Sequence, residues 1–143
     1  MTIKNEELIN RLRNSLEKAN AILKLKSRIE EDMSSVLDIL KNLTSDSIDY
    51  YIMENDPVIP SYKDCQKLIR LKKKSNSDYS LGIILFGFSI NDSTGYPLQL
   101  ETENEYFECS DVDEMKECVA IIIEKKSIDI MKLISQDSDF IPF

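Results

Sequence analysis

Histidine is absent from this 143-residue sequence. That removes the commonest general base and metal ligand, and with it any Ser-His-Asp or Cys-His nucleophile pair. Cysteine is scarce. Cys65, Cys109 and Cys118 form no CxxC pair, which excludes zinc sites of the usual Cys/His spacing. Their odd number and irregular spacing argue against a disulfide framework and fit reduced thiols in a cytoplasm. With three Gly and four Pro, little of the chain is linker-like. Neither GxGxxG nor a GxxxxGK loop is present to cradle phosphate. Long hydrophobic runs are missing as well. The longest, Leu81 to Phe88, is far too short to span a bilayer. No N-terminal stretch combines a basic start, an apolar run and a small-residue cleavage site. These absences predict a soluble, cytoplasmic, non-enzymatic protein with no cofactor, no metal and no membrane partner.

What the chain does have is ordinary globular content. At 42% hydrophobic and 31% charged residues it can fold around a core, which excludes wholesale disorder. The net charge of −8 is unevenly spread. Residues 1–60 carry 8 basic and 11 acidic side chains, residues 61–77 carry 6 and 1, and residues 78–143 carry 4 and 14. An acidic C-terminal half disfavours nucleic acid and anionic membranes and favours basic partner surfaces.

From Thr2 to Asn55 there is neither Gly nor Pro. Apolar residues recur at steps of three and four through Ile9, Leu12, Leu16, Ala19 and Leu23. A second series runs through Ile22, Leu25, Ile29, Met33, Val36, Leu40 and Leu43. Such spacing places a stripe on one helix face. Thr2 or Asn5 is the expected cap, with Glu6 and Glu7 in the dipole-favoured first turn. Successive four-residue steps at Leu25, Ile29 and Met33 make a stutter. A helix over 2–44 would exceed what a domain of this size covers alone. The expectation is a homodimeric coiled coil through Ile9, Leu12, Leu16, Leu23, Ile29, Met33, Val36 and Leu40. The alternative is a helical hairpin broken near Ser27.

The expected fold is therefore α+β. A long N-terminal amphipathic helix (1–45) is followed by a connector (46–60) with a short helical turn through 47–53. The body (61–136) is a small antiparallel meander of three or four strands covered by a C-terminal helix, and 137–143 is an acidic-aromatic tail. Strands are expected at Gln66–Lys74, Tyr79–Ile90, Tyr96–Thr102 and Tyr106–Cys109. Pro97 marks an edge, and the nearly continuous apolar run Tyr79–Ile90 reads as buried on both faces. One face would be covered by the C-terminal helix, the other by the N-terminal helix or a second subunit. Ser110, with Asp113 three residues on, is the expected start of that C-terminal helix.

Chemistry has few places to sit. Asp111, Asp113, Glu114 and Lys116 sketch the outline of a metal-dependent nuclease core, but charge compensation at a helix N-terminus accounts for the carboxylates. Arg70, Lys72, Lys73 and Lys74, with Lys63 and Lys67, are candidates for nucleic-acid phosphates. On an edge strand they would instead guard against aggregation. The functional expectation is a binding protein that inhibits another protein, of the immunity, antitoxin or phage counter-defence kind. It would act as a dimer through an acidic face of Glu101, Glu103, Glu105, Glu108, Asp111 and Asp113. Alternatives are an accessory subunit docking through the coiled coil and a tail of Phe140, Ile141 and Phe143, and nucleic-acid binding through Lys63–Lys74. A small-molecule site at a dimer seam would leave no short motif.

Overall fold

The computed structural model describes residues 4–55, 62, 64–75 and 82–135. The tail candidates Phe140, Ile141 and Phe143, with Thr2 and Lys63, lie outside the described residues. Helix α1 (Asn5–Leu43) comes first, then five strands: β1 (Ile48–Glu54), β2 (Lys67–Lys73), β3 (Ile83–Asn91), β4 (Gly95–Glu101) and β5 (Tyr106–Cys109). Helices α2 (Val112–Lys125) and α3 (Ser127–Ser135) follow. The strands form one antiparallel meander in sequence order.

Helix α1 is continuous through Ser27, so the hairpin alternative does not hold. Its 39 residues span about 58 Å at 1.5 Å per residue. Lys4 is the N-cap, without a side-chain hydrogen bond, and Asn5, one of the expected caps, is already helical. The far end is better closed. Ser45 N–H donates to Asn42 O and Asp46 N–H to Lys41 O, the paired bonds of a Schellman motif. No glycine supplies the left-handed turn; Ser45 (φ 55°) and Asp46 (φ 62°) adopt it themselves.

The connector contains a strand where a helical turn was expected. Ile48, Tyr50 and Ile52 alternate with Asp49, Tyr51 and Met53, and the first three join the main core. Alternating β-branched and aromatic residues suit a half-buried strand, and β1 becomes an edge of the sheet. Two expectations change with it. β2 and its lysines are interior, between β1 and β3, and β4 lies between β3 and β5 rather than at an edge. Pro97 is accommodated because the β3–β4 register shifts between Ser89 and Asn91.

All three helices cover the same face. Ile29, Met33, Leu37 and Leu40 of α1, Met115, Val119 and Ile122 of α2, and Ile130 and Leu133 of α3 pack in one cluster with Ile69, Leu71, Phe86, Phe88, Leu98 and Leu100. On the opposite face, among the described residues, Tyr62, Cys65 and Leu68 form a second, smaller apolar cluster, with Met53 and Ile84 packed against it. Ile69 pairs with Phe86 but Arg70 with Ile84, so Leu85 is a bulge residue. A bulge places two neighbours on one side, and Leu85 and Phe86 both enter the helix-covered core.

Candidate functional site

The two halves of α1 live in different environments. Ile29, Met33 and Leu37 are at most 1% exposed and Leu40 is 9% exposed, whereas Ile9 is 52%, Leu12 62%, Leu16 71% and Leu23 64% exposed. Every residue from Lys4 to Ala21 is exposed. At ~100° of rotation per residue, the stripe Ile9–Leu12–Leu16–Ala19–Leu23 is centred ~85° around the helix from Ile29–Met33–Leu37–Leu40. The stutter at Leu25–Ile29–Met33 is where the apolar face changes direction.

This divides the residues expected to associate. Ile29, Met33 and Leu40 are used by the chain's own core, and Val36 is half-buried against it. Ile9, Leu12, Leu16 and Leu23 point into solvent. Leu37, one of the most buried residues of the helix, was missed by a series that stepped from Met33 to Val36. A further four-residue step from Met33 would have found it.

The departure point is well defined. Lys26 forms an ion pair with Asp92 in the β3–β4 turn. Gly95, at φ +77°, lets Leu25 and Ile29 close onto the backbone; a Cβ there would stand 2.6 Å from Leu25 Cδ2. N-terminal to this contact, helix α1 leaves the body.

The acidic candidates run from the end of β4 (Glu101) through the β4–β5 turn (Glu103, Glu105) and β5 (Glu108) to the start of α2 (Asp111, Asp113), and half of them have intrachain duties. Glu101 accepts from Cys65 Sγ at 2.9 Å. Glu105 pairs with Lys125 at 2.6 Å. Asp111 is the N-cap of α2: it accepts from Glu114 N–H at 2.9 Å, while Glu114 Oε2 accepts from Ser110 N–H at 2.6 Å. The cap is therefore Asp111 with Glu114, one residue beyond the expected Ser110–Asp113 pair, and two of the three carboxylates of the nuclease-like outline serve as a capping-box-like start, with the return bond to Ser110 N–H. Glu103, Glu108 and Asp113 remain exposed. Sequence reasoning missed what sits beside Glu103. A polar cleft of about 180 Å³ is lined by Thr102, Glu103, Asn104, Glu105, Lys125, Lys126 and Asp129, together with Ile122. Lys126 Nζ donates to Ile84 O at 2.8 Å, and burial holds its pKa below the usual lysine value.

The basic stretch is dispersed. Lys67 pairs with Glu30 at 3.0 Å, and Lys74 with Asp46. Lys72 is only 7% exposed. Arg70 and Lys72 face one side of β2 and Lys73 the other, so among the described residues no continuous basic stripe forms. Burial, reinforced by Glu101, pushes the Cys65 thiol pKa up. Burial and the neighbouring Cys118 do the same for Cys109. Such thiols are poor nucleophiles. Among the described residues no group of three or more His, Cys, Asp or Glu is placed to hold a metal ion, and no helix is long and apolar enough to cross a membrane. Set against protein-family models, curated proteins and solved structures, the chain matches none of them.

Proposed function

We propose that this chain is a non-enzymatic, cytoplasmic binding protein that assembles through its N-terminal helix and inhibits a protein partner with a basic surface. The observation that carries the reading is the exposed apolar stripe from Ile9 to Leu23 on a helix that has left its own core. About twenty residues of solitary helix, interrupted by Asn10, Asn14, Ser15 and Asn20, are marginal in water without packing. A row of large apolar side chains on such a segment favours a contact with another chain.

The partner-facing side is assigned to Glu103 in the β4–β5 turn, Glu108 on β5 and Asp113 in the first turn of α2, the acidic candidates that are exposed and have no intrachain partner assigned above. An acidic edge speeds encounter with a basic surface and fixes orientation. It also suits an edge strand, whose charges discourage indiscriminate pairing. The test is capture from the source's own lysate by the full chain and by a Glu103→Lys, Glu108→Lys, Asp113→Lys variant, at low and high salt. The reading expects a protein held by the parent chain, weakened by salt and lost by the variant. Equal capture by both chains, or capture indifferent to salt, contradicts it.

A further inference from the structure

Resting on that reading, we infer that the exposed stripe of α1 is covered by a second copy of this chain, running antiparallel. The residues form a heptad seam. Ile9, Leu16 and Leu23 occupy one column, and Leu12 and Ala19 the other, at alternating steps of three and four. The flanking positions hold Leu8, Ser15 and Ile22 on one side and Arg13, Asn20 and Ser27 on the other. Glu6, one heptad before Arg13 in the same column, and Arg13 are the charges beside the seam and are opposite in sign, so a second copy brings little like-charge opposition there. A seam that is apolar in the middle and nearly uncharged at its borders suits its own kind.

Orientation follows from two features. In a parallel pair each column faces itself, and Ala19 meets the partner's Ala19, leaving a hole in the middle of the stripe. In an antiparallel pair the columns face each other. Ala19 then always meets a bulky Ile or Leu of the first column, whatever the register. Alternating large and small across a seam is the better-packed arrangement. Charge points the same way. Glu6 lies beside the N-terminal end of the stripe, whereas Lys24, and Lys26 already paired with Asp92, lie where the helix joins the body. A parallel pair sets each group against its like; an antiparallel pair sets acid against base.

The test joins a mass to two distances. Light scattering of the full chain should give twice 16.5 kDa. A Leu16→Asp variant should give one chain's mass with an unchanged circular dichroism signal from the sheet, because Leu16 lies outside the core. Spin labels are then placed at Glu7→Cys and, separately, at Asn14→Cys in a Cys118→Ala background, and distances are read by pulsed dipolar spectroscopy. Antiparallel pairing separates the two Glu7 labels along the axis by roughly 20–30 Å while leaving the Asn14 labels within about 10 Å of one level. Parallel pairing makes the two distances equal. A dimer with unequal distances supports the inference. A dimer with equal distances overturns the orientation and leaves the binding reading standing. A single-chain mass overturns the self-pairing itself, and the lysate capture then decides alone whether the chain is a binding protein.

Discussion

Leu37→Ala is the sharpest probe of how α1 is held to the sheet. Leu37 is 1% exposed and belongs to the cluster that joins α1 to the sheet and to α2 and α3. Truncating a fully buried leucine removes its transfer energy and leaves a cavity, and costs about 2.7–5 kcal/mol depending on how far the surroundings collapse. Leu37 sits between a rigid helix and a paired sheet, where collapse is limited, so a loss of about 3 kcal/mol is expected. With a urea dependence of about 2 kcal/mol per M, the midpoint falls by about 1.5 M. Leu43 is the control. It ends the same helix six residues later and is 78% exposed, so Leu43→Ala should shift stability by no more than about 0.5 kcal/mol. Urea unfolding followed by circular dichroism, all chains at one concentration, reads both. Equal effects from the two substitutions, or a loss under about 1 kcal/mol at Leu37, would refute the docking of α1 on the sheet.

Ser45→Gly should stabilise the chain by about 0.5–1 kcal/mol, since Ser45 sits in the left-handed region at a position where helices usually place glycine. Thermal unfolding checks it, and a lowered Tm would contradict the Schellman assignment. Thiol labelling at pH 8 should modify half-buried Cys118 first. Cys65 and Cys109 should follow only on unfolding, because burial keeps both protonated and shielded. Three thiols reacting at one rate would be the contrary result.

Much of the fold was legible because periodicity reports directly on which side of an element is buried. The long helix, the strands at β2 to β5 and the C-terminal helix at α2 all carried their period in plain view. What escaped did so for physical reasons. β1 was hidden because Tyr50, Tyr51 and Ile52 blur the alternation and a run of Glu, Asn, Asp and Pro follows them. The bulge at Leu85, which brings Leu85 and Phe86 into one core, cannot be read from an unbroken apolar run. In α1 the phase change was visible as a stutter. Its meaning, one half turned toward the chain's own sheet and the other away, depended on where the body ends, at Lys26 and Asp92. The acidic candidates were legible as a cluster, but a sequence does not show that Asp111 caps a helix or that Glu105 is paired with Lys125. Those are contacts between segments.

The central claim is that the Ile9–Leu23 stripe is an association surface. Light scattering of the full chain and of Leu16→Asp, over a range of concentrations, tests it most directly. A two-chain mass is expected for the parent, declining toward one chain on dilution, and a one-chain mass for Leu16→Asp at every concentration with its fold intact. A parent chain that stays monomeric at the highest concentration, or a Leu16→Asp chain that still pairs, would contradict it.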